Sequence, residues 1–202
     1  DWPLATLRSQ VCIVAQDTFL FSDTIGSNIS FGAGDRGNRL EYNGQYDGQR
    51  RRRGYDEQYV RRMAAIAGAD GFISSMPDGY DTVVGERGVG LSGGQKQRLS
   101  LARALADNPS ILIMDDTTSA VDMETEAEIQ RHLRDLDEKK TIVTIAHRIS
   151  SVKDSDLILV LEHGRIVERG THDELVASHG RYWQIYSKQL GVDAGRSQGF
   201  EA

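Results

Sequence analysis

The sequence predicts an α/β fold built around a parallel sheet, and three observations support this prediction. Apolar runs of strand length recur along the chain, at residues 11–15, 111–116 and 141–146. A helix-length segment with apolar residues at helical spacing, residues 96–107, precedes the second run. That second run ends in two carboxylates, Asp115 and Asp116. Short, continuously apolar strands are typical of parallel sheets, and open α/β folds bind ligands at the carboxyl ends of such strands.

Length and composition limit the class of protein. A chain of 202 residues with 39% hydrophobic content can bury a core as one domain or as two closely packed lobes. Its longest apolar runs are too short to span a bilayer. The net charge of -6 argues against generic nucleic-acid binding, so we expect no nucleic-acid partner. The single cysteine, Cys12, lies inside an apolar run and is predicted to be a buried core thiol, which fits a reducing cytosol.

The segment LSGGQ at residues 91–95 is the most informative stretch of the chain. Ser92 and Gln95 form the pattern of a capping box, an ordinary way to satisfy N–H groups at a helix start. Gly93 and Gly94 would then lie in the first turn, where each costs about 1 kcal/mol relative to Ala. A plain cap leaves this cost unexplained. The alternative is a phosphate site, because exposed N–H groups and the helix dipole favour an anion and glycine lets it approach closely.

Local signals predict the remaining elements. The predicted N-caps are Asp56, Asp122 and Thr171, the last paired with Glu174 in a second capping box. The helix after Asp56 should face the core with Val60, Met63, Ala64 and Ala67, and Gly68 should end it. Residues 77–79 are a predicted turn, and His163-Gly164 should join residues 157–162 and 165–168 into a hairpin.

Three strings together resemble a known family. LSGGQKQRLSLARAL at residues 91–105, ILIMDD at 111–116 and SAVD at 119–122 resemble the signature motif, Walker B and D-loop of ATP-binding cassette (ABC) nucleotide-binding domains, in the family's order and spacing. The resemblance extends from about Leu4 to Leu190. It implies a P-loop NTPase-like (RecA-like) parallel sheet core with an inserted helical subdomain, with ATP and Mg²⁺ as ligands.

The resemblance also implies a division of the chain. Residues 1–16 would be a remnant of the RecA-like core, residues 17–107 the helical subdomain with a loop insertion at 32–55, residues 108–190 the rest of the core, and residues 191–202 a flexible tail. The insertion contains four adjacent arginines, residues 50–53. Either they form a solvated loop or they contact anionic lipid headgroups.

The family's phosphate-binding loop, G-x-x-x-x-G-K-[ST], is missing, because none of the five lysines follows a glycine. In the family this loop lies upstream of the first strand. We therefore expect an N-terminally truncated cassette, the C-terminal part of a longer protein, and predict no ATPase activity from the fragment alone. A transmembrane domain is expected upstream in the same chain, which would hold the protein at the cytoplasmic face of the cell membrane.

Roles in ATP hydrolysis follow from the resemblance. Asp115 would hold Mg²⁺ through water with help from Gln16 of the Q-loop, and His147 would contact the γ-phosphate as the switch histidine. Asp116 stands where the family usually has a glutamate that polarises the attacking water, and Asp is shorter by one methylene. We predict that this site hydrolyses slowly, as in the degenerate sites of heterodimeric exporters. A homodimer that works with Asp116 remains open.

Family members pair head to tail, so each site would need a second nucleotide-binding domain. Ser92, Gly93, Gly94 and Gln95 would cap the nucleotide held by the partner's phosphate loop. Ser119 and Asp122 of the D-loop would lie at the dimer interface.

Residues 81–88 resemble the loop that meets the transmembrane coupling helices in exporters, which favours an exporter. The alternatives are a non-transport ABC ATPase of DNA repair or translation, and a regulatory half-transporter that binds ATP with little turnover.

Overall fold

The computed structural model describes residues 3–33, 56–85, 90–118, 120–136 and 140–191. Four sequence-based predictions lie wholly or partly outside these ranges: most of the insertion with its arginines, part of the exporter-type loop at 81–88, Ser119 of the D-loop, and the tail after Gly191. The chain divides into two compact units, residues 1–145 and 146–202, which are described separately below. The subdomain division drawn from the resemblance remains a prediction.

A three-stranded parallel sheet organises the first unit. Its strands are β1 (Val11–Val14), β2 (Ile111–Asp115) and β3 (Thr141–Ile145), in the order β1-β2-β3. Met114 of β2 pairs with Val14 of β1, and Asp115 pairs with Ile145 of β3. The predicted parallel sheet is therefore confirmed. Because the register aligns the carboxyl ends of the strands, residues that follow β1 and β2 lie at one edge.

Six helices accompany the sheet in the described part of the first unit. They are α1 (Leu4–Arg8), α2 (Ile25–Ser30), α3 (Glu57–Ile66), α4 (Asp70–Ser74), α5 (Gly93–Ala106) and α6 (Met123–Arg134). The long helix α5 buries Leu99, Leu101 and Leu105 in the same apolar cluster as Leu112 and Met114 of β2. One face of the sheet is buried against this cluster, while the other face exposes the apolar side chains of Ile13, Val143 and Ile145. Cys12 is half-buried, a weaker burial than its apolar run predicted.

The predicted start and end of α3 are confirmed. Asp56 caps α3 by accepting hydrogen bonds from the N–H groups of Gln58 (2.9 Å) and Tyr59 (3.1 Å). The predicted core positions of α3 and its C-terminus are buried: Val60, Met63, Ala64 and Ala67. Gly68 follows the helix at φ 65°, a left-handed conformation that glycine adopts at little cost.

The described part of the second unit contains a short 3-10 helix (Ile149–Ser151), a hairpin and two α-helices. Strands β4 (Ile158–Glu162) and β5 (Arg165–Gly170) pair antiparallel, and His163-Gly164 forms the predicted turn with φ of 50° and 75°. Helices α7 (His172–Ala177) and α8 (Arg181–Leu190) follow. The Glu168 carboxylate of β5 starts α8 by accepting from the backbone N–H groups of Arg181 and Tyr182. Among all helices of the described ranges, none combines the length and apolar character needed to cross a bilayer.

Candidate functional site

The sheet edge brings three of the predicted site residues together. Asp115 is the last residue of β2, Asp116 follows it, and Gln16 lies two residues beyond β1. The Gln16 side chain donates from Nε2 to Oδ2 of Asp116 at 3.4 Å, although the two residues are 100 positions apart. Parallel pairing of β1 with β2 places both at the carboxyl edge. The edge therefore carries two carboxylates and an amide, whose oxygen atoms suit a divalent metal ion.

The backbone of Asp116 is held in an unusual conformation. Its φ is 49°, in the left-handed region that few residues other than glycine occupy, although Asp and Asn tolerate it best. Its N–H donates to the Ile145 carbonyl at 3.0 Å, and its own carbonyl accepts from Nε2 of Gln97 at 3.5 Å. Such conformations persist where surrounding contacts fix them, and they concentrate at functional sites.

The start of α5 is both a capping box and an exposed helix terminus. The Ser92 hydroxyl accepts from the Gln95 N–H at 3.2 Å, and the Gln95 side chain accepts from the Ser92 N–H at 2.9 Å. Ser92 and Gly93 are exposed, and the first intrahelical bond is donated by Lys96 to Ser92 at 3.0 Å. The N–H groups of Gly93 and Gly94 precede that bond, and no acidic residue lies in the first turn. This positive terminus fits an anion.

Gly94 has a packing role that the sequence did not predict. A Cβ on Gly94 would lie 2.6 Å from the carbonyl oxygen of Ala120, a backbone atom, whereas a Cβ on Gly93 would come no closer than 3.5 Å to the Ala120 methyl. Gly94 is buried and Gly93 is exposed. Close approach of α5 to the segment around Ala120 therefore explains Gly94, while Gly93 leaves room for a ligand.

Gln97 is a residue of this region to which the sequence assigned no role. Its side chain is 7% exposed, donates to the Asp116 carbonyl and accepts from the Ala120 N–H at 3.2 Å. The sequence did contain a signal for this role: Gln97 lies one turn before Leu101, as a polar residue on the otherwise apolar, buried face of the helix. A buried polar side chain on such a face generally has a hydrogen-bond role.

Hydrogen bonds with neighbouring residues hold Thr118, Val121 and Asp122 at the start of α6. The Thr118 hydroxyl donates to the buried Glu126 carboxylate at 2.7 Å, and the Val121 N–H donates to the Thr118 carbonyl at 3.0 Å. Asp122 caps α6, as predicted, by accepting from the Thr125 N–H at 2.9 Å. The pKa of Asp122 is lowered, chiefly because this backbone hydrogen bond favours the carboxylate. The interface role of Asp122 remains a prediction.

Arg103, near the far end of α5, binds the segment that follows the Q-loop. Its guanidinium donates to the carbonyls of Asn28 (2.9 Å) and Phe19 (2.8 Å) and to Oδ1 of Asn28 (2.7 Å). It also lies 5.1 Å from the centre of the Phe21 ring. Burial lowers the pKa of Arg103. The exposed rings of Phe19, Phe21 and Phe31, which we call the aromatic patch, contact one another with centroids 5.2 and 4.6 Å apart.

His147 belongs to the second unit and is exposed. Its carbonyl accepts from Nε2 of Gln189 at 2.8 Å, and Oε1 of the same glutamine accepts from the Ile149 N–H at 2.9 Å. Helix α8 therefore fixes the backbone on both sides of residue 148. The predicted contact of the imidazole with a γ-phosphate remains a prediction.

The carboxyl edge of the parallel sheet carries Gln16, Asp115 and Asp116, and a helix that begins with two glycines lies beside it. This arrangement is that of an α/β nucleotide-binding domain. The family model described as "ABC transporter" matches residues 2–119. The chain belongs to the ABC transporter family.

Individual relatives agree with this assignment. The chain is 50% identical over 189 residues to the "Uncharacterized ABC transporter ATP-binding protein YknU" of Bacillus subtilis (strain 168), covering 94% of this chain and 29% of that protein. It is 43% identical over 191 residues to an "ATP-dependent lipid A-core flippase" of Photobacterium profundum, covering 95% and 30%. The solved structure of a bacterial Atm1-family ABC exporter with ATP bound superposes with a TM-score of 0.79 at 41% identity, covering 93% of this chain and 30% of that one. The chain thus spans about 30% of the length of these relatives.

Proposed function

We propose that this chain is the ATP-hydrolysing domain of an ABC exporter, which couples ATP binding and hydrolysis to transport across a membrane. The named relatives, a lipid flippase and an Atm1-family exporter, support an exporter over a repair or translation ATPase. In this proposal a transmembrane domain precedes the cassette in the same chain and holds it at the cytoplasmic face of the cell membrane. A second nucleotide-binding domain pairs with it head to tail.

The hydrogen bond between Gln16 and Asp116, beside Asp115 at the sheet edge, is the observation that carries the proposal. These oxygen and amide groups suit Mg²⁺, which in proteins usually takes one or two carboxylates and completes its shell with water and substrate phosphates. Asp115 and Gln16 would hold the ion. Its chemistry when bound is to neutralise phosphate charge.

The chain's own groups divide the remaining work. The Asp116 carboxylate accepts a hydrogen bond from water and orients it towards the γ-phosphate, and His147 is the residue proposed to contact that phosphate. The N–H groups of Gly93 and Gly94, with the Ser92 hydroxyl and Gln95, bind the nucleotide seated on the partner domain. Ser119 and Asp122 contact the partner at the D-loop. Each site therefore takes residues from both domains.

Asp116 makes the site built on this chain slow. Its carboxylate reaches one methylene less than the usual glutamate, and misplacement of about 1 Å can reduce a rate about a hundredfold. The proposal therefore includes a heterodimer, in which the LSGGQ segment of this chain completes a faster site on a partner that carries glutamate. The same residue favours a second candidate function, a regulatory half-transporter that binds ATP with little turnover.

The aromatic patch supports docking to a transmembrane domain. The rings of Phe19 and Phe21 follow the Q-loop residue Gln16, and Phe31 lies beside them. Val83, which bridges to Thr24, is 67% exposed. Exposed apolar side chains that cluster in this way mark protein interaction sites, and coupling helices of an exporter are the partner that the family offers.

Turnover of the reconstituted full-length transporter tests the proposal. We expect Asp116→Glu to accelerate magnesium-dependent ATP hydrolysis at least about tenfold, because the longer side chain reaches the water, and Asp116→Asn to abolish turnover at this site. Asp173→Glu, which adds the same methylene to a carboxylate on α7, is the matched control and should change nothing. Equal rates for the wild type and Asp116→Glu would show that Asp is adequate. Undiminished turnover in Asp116→Asn, measured with the partner site inactivated, would overturn the role of Asp116.

A further inference from the structure

We infer that Gln97 is a positioning residue for Asp116, because its side-chain amide bridges Asp116 and Ala120. The chemical step that Asp116 performs rests on the function proposed above. The bridge itself rests on two contacts of one buried side chain. Nε2 of Gln97 donates to the Asp116 carbonyl at 3.5 Å, and Oε1 accepts from the Ala120 N–H at 3.2 Å.

The backbone groups of Asp116 and Ala120 are suited to an uncharged amide side chain. The carbonyl at Asp116 requires a donor and the N–H at Ala120 requires an acceptor, and Gln supplies both from adjacent atoms. A carboxylate at position 97 would face the Asp116 carbonyl oxygen with no donor, and an apolar side chain would satisfy neither end. Only one of the two orientations of the Gln97 amide pairs donor with acceptor at both contacts.

Asp116 needs this support because its backbone conformation is strained. With φ at 49°, the residue would relax towards the more populated regions if its contacts were lost. Its N–H is bonded to Ile145 of β3 and its carbonyl to Gln97 of α5, so the peptide units on both sides of the Cα are fixed. The direction in which the carboxylate leaves the backbone is thereby set before any nucleotide binds.

The bridge also connects two groups that serve different nucleotides in the proposed mechanism. Gly94 allows α5 to approach the Ala120 carbonyl, and Gln97, three residues later, bonds the Ala120 N–H. The helix that Ser92 caps therefore contacts both Asp116 and Ala120 directly. In a head-to-tail pair, Ser92 serves the partner's nucleotide and Asp116 serves the nucleotide of its own domain. Gln97 thus couples the positions of groups that belong to different sites.

Hydrogen exchange of the Ala120 amide, followed by NMR on this chain, tests the bridge. Gln97→Met keeps the length and helix propensity of the side chain but removes both polar atoms. We expect Ala120 to exchange about tenfold faster in this variant, relative to the amides of α3. Leu105→Val on the same helix is the matched control, since it loses buried apolar volume but leaves the bridge intact. Unchanged exchange in Gln97→Met, or equal acceleration in Leu105→Val, would overturn the inference.

Kinetics test the positioning role in the full-length transporter carrying Asp116→Glu, the background in which the proposed function predicts fast turnover. Gln97→Met should lower kcat at least about tenfold and leave the KM for ATP within about twofold, because Gln97 touches Asp116 and Ala120 and not the nucleotide. Leu105→Val should leave both constants unchanged. A raised KM with unchanged kcat would overturn the positioning role. If the Asp116→Glu transporter hydrolyses no ATP at all, the proposed function fails, and the exchange of Ala120 still decides whether the bridge exists.

Discussion

The two capping boxes of the molecule have the same geometry but different first turns. In α5, Ser92 and Gln95 exchange backbone-to-side-chain hydrogen bonds, and in α7, Thr171 and Glu174 do the same. The bonds from the N-cap N–H to the third residue are 2.9 and 2.8 Å long. The capping hydrogen bonds are therefore equivalent at the starts of α5 and α7. What differs is the pair of residues between the caps, Gly93-Gly94 in α5 and His172-Asp173 in α7.

The difference separates a structural helix start from one that can take a ligand. The first turn of α7 contains Asp173 and Glu174, whose negative charges complement the helix dipole within the chain. The first turn of α5 contains no acidic residue, and the positive end of its dipole meets solvent at the exposed Gly93. A capping box by itself is thus no indication of function, and the charge and size of the two enclosed residues are the informative features.

The largest expected effect that would sharpen this comparison is on stability, at the second residue of each helix. Gly94→Ala places a methyl 2.6 Å from the Ala120 carbonyl oxygen, so α5 or the D-loop must move. We expect a loss of about 1–3 kcal/mol in the free energy of unfolding, measured by denaturant titration. The equivalent change in α7, Asp173→Ala, meets no such contact and serves as the control. A Gly94→Ala variant as stable as the wild type would contradict the packing role of this glycine.

A smaller effect, confined to nucleotide binding, is expected at the first position. Gly93→Asp gives α5 the acidic first turn of α7 and has space for its side chain, since the nearest atom to a Cβ is 3.5 Å away. Thermal stability should not fall, because the new charge complements the dipole. The KM for ATP in the full-length transporter should rise about tenfold, because the carboxylate repels the phosphates. Gly93→Ala isolates the charge, and an equal rise in KM for both variants would show that bulk alone is responsible.

The smallest expected effect is a pH dependence that only one of the two boxes has. The Thr171 N–H lowers the pKa of the Glu174 carboxyl, because it hydrogen-bonds the charged form. The folded-state pKa therefore lies below the unfolded value of about 4.3, so the stabilisation is fully present above that value and is lost as the pH falls through the folded-state pKa. Gln95 does not titrate. Melting temperatures between about pH 3 and pH 7 should show Glu174→Gln with a weaker acid dependence and Gln95→Glu with a stronger one. Parallel profiles for all three proteins would contradict this assignment.

Local signals in the sequence predicted much of the fold. Both capping boxes, the Asp56 and Asp122 caps and the hairpin turn at His163-Gly164 form as expected, because each depends on residues within four positions of one another. The parallel sheet was also predicted, from apolar runs and from family resemblance. The start of the second closing helix, α8, was not predicted, because the Glu168 carboxylate that caps it lies on a different element, β5.

The sequence did not predict the contacts that support the candidate site. Gln16 and Asp116 were assigned to one site, and the structure joins them by a hydrogen bond. The left-handed backbone of Asp116, the packing of Gly94 and the two bonds of Gln97 depend on contacts between residues that are 19 or more positions apart. Neither periodicity nor capping rules contain such information, since both describe neighbours along one helix or strand.

Helix α5 has a further consequence for how movement passes through the domain. Its 14 residues correspond to a length of roughly 21 Å, with Gly94 against Ala120 near one end and Arg103 bonded to Phe19 and Asn28 near the other. A hydrogen-bonded helix scarcely stretches, so it keeps a fixed distance between the aromatic patch and the segment around Ala120. A displacement of the patch along the helix axis is therefore expected to move the segment around Ala120 by nearly the same distance.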